Sequence, residues 1–514
     1  MIKMQLLEKR LIFDKVRNVQ RQFLDGNRRI LLVDPGKPAG SMYGRSTSLA
    51  LPLLKSIARR YKVEVDIVNL GRGEKISAKD YPIIGFTGTS SVHAQVLESA
   101  KQFQKGSSLI LKGGPAETAD RYAQMDLTYP IDISFIGYSD DSFARFLELV
   151  LGRLTLPDVP DIRYHNGKEM IATNRVPRRS FILPDPDLLE VETPFSSLLI
   201  AGAKTMIRFQ SVRGCSFKCT FCGLDKNMAW ISASQTVEYL RSVRNITGAD
   251  SAFCENATFG IDRHPKIRTP HSGWTEEFCR LVAPLGIKLG VQTRVDCLDN
   301  ETVDIFVEGN ISSVYLGVES TGVSALREVH KTVDKGYADM LCRNISYALS
   351  KGLIVSVSII SDLGSEEDLR QTIFNLVSLG VHEIWLESLK IYPGTPLSKQ
   401  DNQRILEFYR TQDSSLFCPQ IITPEVLEDV GSLLAFGPQH AFQRKMLACT
   451  VAIGTRNQSS GTYIGNPFVS VIGGPVLLSR PAYIALLEAT AALSADPSIS
   501  GSLSLEAKRW RIGC

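Results

Sequence analysis

A chain of 514 residues leaves room for two to four packed units at roughly 100 to 200 residues each. Hydrophobic residues make up 44%, charged residues 22% and aromatic residues 8%, which is the balance of a folded protein and excludes disorder, collagen-like repeats and coiled-coil fibres. With 58 Lys and Arg against 54 Asp and Glu, the net charge of +4 gives no reason to expect nucleic acid or an anionic membrane, so the expected partner is a small molecule.

The N-terminal stretch MIKMQLLEKRLIFDKVRNVQRQF reads as a basic lead-in helix, and Lys9, Arg10, Asp14 and Lys15 interrupt any signal-type apolar core. The longest apolar run, Phe468 to Leu478, is too short to span a bilayer and contains Gly473, Gly474 and Pro475. The protein is therefore read as cytoplasmic. Residues 1–151 alternate short β-rich runs (RILLVD, VEVDIVN, PIIGFTG, SLILKGG, DISFIG) with amphipathic stretches such as SVHAQVLESAKQFQ, the pattern of a doubly wound, Rossmann-like α/β domain. Such sheets bind ligands beyond the carboxyl ends of their strands. Those ends carry Asp34, Pro35 and Gly36, then Thr87, Gly88, Thr89 and Ser90, then Gly113 and Gly114, then Gly137, Tyr138 and Ser139. Glycines there let backbone approach a large flat or anionic ligand, although tight turns alone also account for them.

Residues 152–200, rich in Pro and Asp, read as a linker with one hairpin near Asn166 and Gly167. From 201 to 400 the βα alternation resumes through MIRFQSV, DSAFCEN, IKLGVQT, SSVYLGVE, IVSVSII and EIWLESLKIY, predicting a partial (β/α)6 barrel with its site at the strand carboxyl ends. Residues 401–514 read as a mixed accessory or substrate-capping domain, with helical patterns around ITPEVLEDVGSLLAF and RPAYIALLEATAALSA and a Gly/Ser-rich stretch at 454–466.

Of the ten cysteines, Cys254, Cys279, Cys297, Cys342, Cys418, Cys449 and Cys514 stand alone. The other three fall in RGCSFKCTFCGL, where Cys215, Cys219 and Cys222 form a C-x3-C-x2-C loop directly after the first barrel strand. Three thiolates on one loop hold three irons of a 4Fe-4S cluster and leave the fourth open to a chelating substrate. A structural zinc site is the competing reading, but it wants four closed ligands, and no second Cys or His pair with zinc spacing follows.

This loop, with Phe221 before the third cysteine and a strand before the first, resembles the radical S-adenosylmethionine superfamily. The resemblance implies that Cys215, Cys219 and Cys222 bind a 4Fe-4S cluster, that S-adenosylmethionine chelates the unique iron, and that Phe221 contacts the adenine. It also implies that an external donor such as flavodoxin or ferredoxin supplies the electron. Glu319, in LGVES, is expected to hold the ribose hydroxyls, with a salt bridge as the alternative. Glu255 and Asn256 occupy the segment that contacts the methionine amine, departing from the usual Gly-Gly-Glu. Arg294, beside Gln292, is expected to clamp the methionine carboxylate, against a structural ion pair with Asp296. Ser358 and the turn at Gly364 are expected beside the adenine, Lys331 is read as a solvated or substrate-side charge, and YPGTPL (392–397) as the barrel's closing turn.

The order of Rossmann-like domain, linker, cysteine loop and PGTPL is similar to the cobalamin-binding members of that superfamily. The resemblance implies a cobalamin site built from Thr87, Thr89, Ser90, Gly113, Gly114, Gly137 and Tyr138. Two departures stand out. The frequent Gly-Glu-Gly-Glu is here Gly137, Tyr138, Ser139 and Asp140, and no Asp-x-His-x-x-Gly follows the first strand, so no lower cobalt ligand is assigned, His93 included. The leading expectation is a cobalamin-dependent methyltransferase acting on an unactivated carbon of a small natural-product intermediate through methylcobalamin, with no catalytic residue assigned. A rearrangement, ring contraction or cyclisation on the same cofactors is the enzymatic alternative, and a zinc-binding interaction module the non-enzymatic one.

Overall fold

The computed structural model describes residues 12–36, 47–76, 81–89, 92–103, 106–114, 130–176, 181–192, 203–267, 269, 271–332, 334, 336–360, 363–387, 389, 395–397 and 476–478. Ser90, the first half of YPGTPL, and the tail patterns beyond residue 400 other than 476–478 lie outside the described residues.

The first unit opens with helix α1 (Ile12–Leu24), which buries Ile12, Val16, Val19 and Phe23 along one face, the three-to-four spacing of an amphipathic helix. Strands β1 (Arg29–Asp34), β2 (Glu64–Asn69), β3 (Ile83–Thr87), β4 (Leu109–Gly113) and β5 (Ile133–Phe135) lie parallel in the order β2-β1-β3-β4-β5. Helices α2 (Ala50–Arg60), α3 (His93–Lys101) and α4 (Asp140–Val150) cover them. Because successive strand residues face opposite sides, Ile30 and Leu32 join one core with α1, α2 and α4, while Leu31, Val33, Ile84 and Phe86 join another under α3. The stretch expected to be a linker contributes more than a connection. Its hairpin, β6 (Ile162–His165) and β7 (Met170–Ala172), adds antiparallel to β5 and extends the first sheet to seven strands.

The second unit has β8 (Met206–Phe209), a short antiparallel pair β9 (Val212–Arg213) and β10 (Ala229–Trp230), then β11 (Ser251–Cys254), β12 (Lys288–Arg294), β13 (Ile311–Glu319), β14 (Ile354–Ile360) and β15 (Glu383–Glu387). The main six run parallel in chain order and alternate with α5 (Ala233–Thr247), α6 (Trp274–Val282), α7 (Asn300–Glu308), α8 (Val323–Glu328), α9 (Tyr337–Ser350) and α10 (Glu366–Leu379). Ser232 caps α5 by accepting from the Gln235 N–H, and Gly248 ends it at φ +70°, so this helix is bounded by its own sequence. Asp299 caps α7 in the same way through the Thr302 N–H. Outside this run β16 (Val476–Leu478) pairs antiparallel with β15. Among the described residues no helix is long and apolar enough to cross a membrane.

A cysteine loop and a cavity between two sheets

The peptide leaving β8 is fixed before it reaches the first cysteine. Asn256, 1% exposed, accepts from the Ser211 and Val212 N–H groups at 2.8 Å each, and its Nδ2 donates to Ser211 Oγ at 2.8 Å. Its amide is thus spent on the strand end, which replaces the expected role toward a methionine amine with a positioning one. Gly214 follows at φ +79°, and a Cβ there would lie 2.1 Å from the Asn227 carbonyl oxygen, so only glycine fits.

Within the loop, Cys215 and Cys219 are buried and Cys222 is half-buried. The Cys215 N–H donates to the Asp225 carbonyl at 2.9 Å, and Thr220 N–H to the Val329 carbonyl at 2.9 Å. Leu397 N–H donates to the Thr220 carbonyl at 3.0 Å, so the described end of YPGTPL does fasten onto the cysteine loop. Phe221 packs against the barrel core. Burial pushes the Cys222 thiol up, with its two sister thiols adding to the effect.

Arg294 corrects its expected role. Its Nη2 and Nε reach Asp296 at 2.6 and 2.8 Å, Nη2 also donates to the Lys331 carbonyl at 2.8 Å, and Nη1 points at Cys219 Sγ at 3.5 Å. Its guanidinium lies 3.8 Å from the Phe217 ring centroid. With its donors so committed, Arg294 does not clamp a carboxylate but presents a buried cation to a cysteine sulfur. Burial opposes ionisation of Asp296, yet the Arg294 guanidinium and the His264 ring 3.8 Å away prevail and hold its carboxyl well below the usual range.

Lys331 is likewise not solvated. It is 6% exposed, and its Nζ meets Glu319 Oε1 at 2.8 Å, while Ser358 Oγ donates to Oε2 at 3.4 Å. Glu319 sits at φ +64°, at a register shift in β13, and a left-handed non-glycine residue at a strand end marks strain held by its surroundings. Glu319, Ser358 and Lys331 are brought together at the barrel mouth. Glu255 is held by an ion pair and also lines the cavity between the two units. With Glu192 it brackets Arg208, 3% exposed, at 2.6 and 2.8 Å, and Arg208 also donates to the Thr47 carbonyl in the first unit.

A cavity of about 300 Å³ opens where the two units face each other. Thr87, Gly113, Gly114, Gly137 and Tyr138 all line it, together with Gly223, Leu224 and Asp225 of the cysteine loop. Leu32, Gly85 and Leu111 stand side by side in neighbouring strands on its floor. A Cβ on Gly85 would lie 2.9 Å from Leu32 Cδ2, so the missing side chain helps keep the floor open. Thr89 is exposed and is not on the wall. His93 is buried with Nδ1 against Lys112 Nζ and also lies off the wall.

The loop suits an iron-sulfur cluster on one observation. Ser216 Oγ and Thr220 Oγ1 are buried without a hydrogen-bond partner, and such donors are costly unless something accepts from them, as cluster sulfur would.

Three comparisons complete the picture. Residues 209–377 match the Radical SAM superfamily model. No curated protein matches the chain. Among solved structures, the radical S-adenosylmethionine methyltransferase TsrM from Kitasatospora setae, with tryptophan substrate and a S-adenosylmethionine analogue bound, is similar at a TM-score of 0.58 and 14% identity, covering 73% of this chain and 76% of that one. The cobalamin-dependent S-adenosylmethionine radical enzyme OxsB, with aqua-cobalamin bound, is similar at a TM-score of 0.58 and 13% identity, covering 94% and 75%. At these identities the likeness is one of fold.

Proposed function

We propose, from the premise that residues 209–377 are a radical S-adenosylmethionine domain, that the chain is a cobalamin-dependent radical enzyme that methylates an unactivated carbon of a small natural-product intermediate. The observation that carries this reading is the cavity whose wall is shared between the glycine-lined strand ends of the first sheet and the residues directly after Cys222. A cofactor seated there would lie beside the cysteine loop. The solved neighbours support the same pairing, since TsrM has been seen with cobalamin and a [4Fe-4S] cluster together.

In this reading Cys215, Cys219 and Cys222 hold the cluster, with Ser216 and Thr220 offering hydroxyl donors and Arg294 a cation to its sulfurs. Glu319 accepts the ribose hydroxyls of S-adenosylmethionine, with Ser358 and Lys331 orienting its carboxylate, and Phe221 borders the adenine. The corrinoid rests on Thr87, Gly113, Gly114, Gly137 and Tyr138. When bound, the cluster supplies one electron to the sulfonium and cobalamin carries the methyl group. The protein's part is to exclude water from the thiol loop, to fix the orientation of Glu319, and to hold both cofactors at one opening. A flavodoxin or ferredoxin in the cytoplasm would deliver the electron.

Anaerobic reconstitution with iron and sulfide should give the broad visible absorbance of a cluster, lost in a triple Cys→Ala variant. Product from deuterated-methyl S-adenosylmethionine should gain the mass of the labelled methyl group. A product of unchanged carbon count would replace methylation by rearrangement, and failure to take up hydroxocobalamin would overturn the reading as a whole.

A further inference from the structure

The residues that line the cofactor cavity from the first sheet also hold the peptide that enters the cysteine loop. Gly137, Tyr138, Ser139 and Asp140 form part of the cavity wall. From that same stretch, Asp140 accepts from Arg213 Nη1 with both carboxylate oxygens at 2.7 Å, and Tyr138 Oη accepts from the Gly214 N–H at 2.9 Å. Arg213 also lies 5.0 Å above the Tyr138 ring and 4.2 Å above Phe181, and its Nε donates to Gln210 at 3.1 Å. Arg213 and Asp140 are each 9% exposed at the side chain, so this is a buried, doubly bonded pair. Burial pushes the Tyr138 phenol up, which keeps it a neutral acceptor for the Gly214 amide.

Gly214 immediately precedes Cys215, and the far end of the loop returns to the same place. The Cys215 N–H donates to the Asp225 carbonyl, and the Asp225 carboxylate is paired with Arg175 at 3.1 Å beside Gly137. The entry to the thiol loop is therefore held by the stretch after β5, its exit is tied through Asp225 to Arg175 beside Gly137, and both stretches wall one cavity.

We infer that Tyr138 and Asp140 are positioning residues that couple the two cofactor sites, so that a loaded cysteine loop tightens corrinoid binding and a bound corrinoid helps the loop retain its cluster. This rests on the functional reading above. The two states are the loop pinned at Cys215, Cys219 and Cys222 and the loop released, and they differ in the Gly214–Tyr138 and Arg213–Asp140 contacts that shape the cavity wall. Linkage requires the effect to be equal in both directions.

The test uses the full chain and hydroxocobalamin under anaerobic conditions, with affinity measured by equilibrium dialysis for cluster-loaded protein and for protein stripped of iron by chelator. Wild type should bind about tenfold more weakly once stripped. In Tyr138→Phe, which keeps the ring and loses the acceptor, and in Asp140→Asn, that ratio should shrink to within about twofold, whatever the variant's own affinity. A wild-type ratio of one, or variants that keep the wild-type ratio, would overturn the coupling and leave the functional reading standing. No binding in either loading state would remove both.

Discussion

The Arg294 guanidinium faces Asp296, the Lys331 carbonyl and Cys219 Sγ at once, and substituting it separates two effects. Arg294→Gln should shift the cluster's midpoint potential to more negative values in an EPR-monitored redox titration, because the reduced, more negative cluster loses a neighbouring cation. The same variant leaves the Asp296 carboxylate short of its partner and should cost about 3–5 kcal/mol in denaturant unfolding. Asn256→Ala removes three hydrogen bonds to Ser211 and Val212, leaving buried donors unmet. A loss of about 1–3 kcal/mol is expected, with lower iron content after reconstitution. Burial holds His382 below its ordinary value of 6.5, and its Nδ1 accepts from the Val355 N–H. The unfolded chain then binds the proton more readily, so its stabilising contribution is complete above pH 6.5 and is lost as the pH falls toward its lowered folded value. In His382→Gln the acid side of the stability profile should be flatter.

At the scale of elements, Gly214→Ala is the sharpest test of the loop, since the added carbon would collide with the Asn227 carbonyl at an already left-handed position. Iron uptake should fall to near background while the far-ultraviolet circular dichroism is kept. The parallel strands of both sheets were legible because each is an apolar run between turn residues: RILLVD is β1 residue for residue, and IVSVSII is β14, whereas β16 was not read as a strand. The cysteine loop stood out by its C-x3-C-x2-C spacing together with Phe221 and the strand before it. What could not be read was partnership across the chain. Arg213 and Asp140 are 73 residues apart and Arg208 and Glu255 are 47 apart, and no local pattern joins them. For the same reason Asn256 looked free to meet a ligand when the Ser211 and Val212 N–H groups already claim it, whereas the Arg294–Asp296 pair, two residues apart, was readable as an alternative. The hairpin at Asn166 was foreseen, but its docking on β5 was not, because its alternation does not say which edge it meets.

For the whole molecule, Arg208 is the rivet between the units, bridging Glu192 and Glu255 in the barrel unit and the Thr47 carbonyl in the first. Burial works against its charge, but Glu255 and Glu192 hold its pKa above the ordinary value. Arg208→Met strands two carboxylates and should cost about 3–5 kcal/mol, read as a lower urea midpoint. The pairing of β16 on β15 carries a different kind of consequence. The outermost parallel strand is covered by three residues that leave the ribosome long after it, so during synthesis β15 waits with a bare row of amide donors and carbonyl acceptors. A nascent chain paused before residue 476 is the form most open to pairing with another copy of itself, and slow translation across that interval is expected to raise the yield of aggregated protein in a pelleting assay.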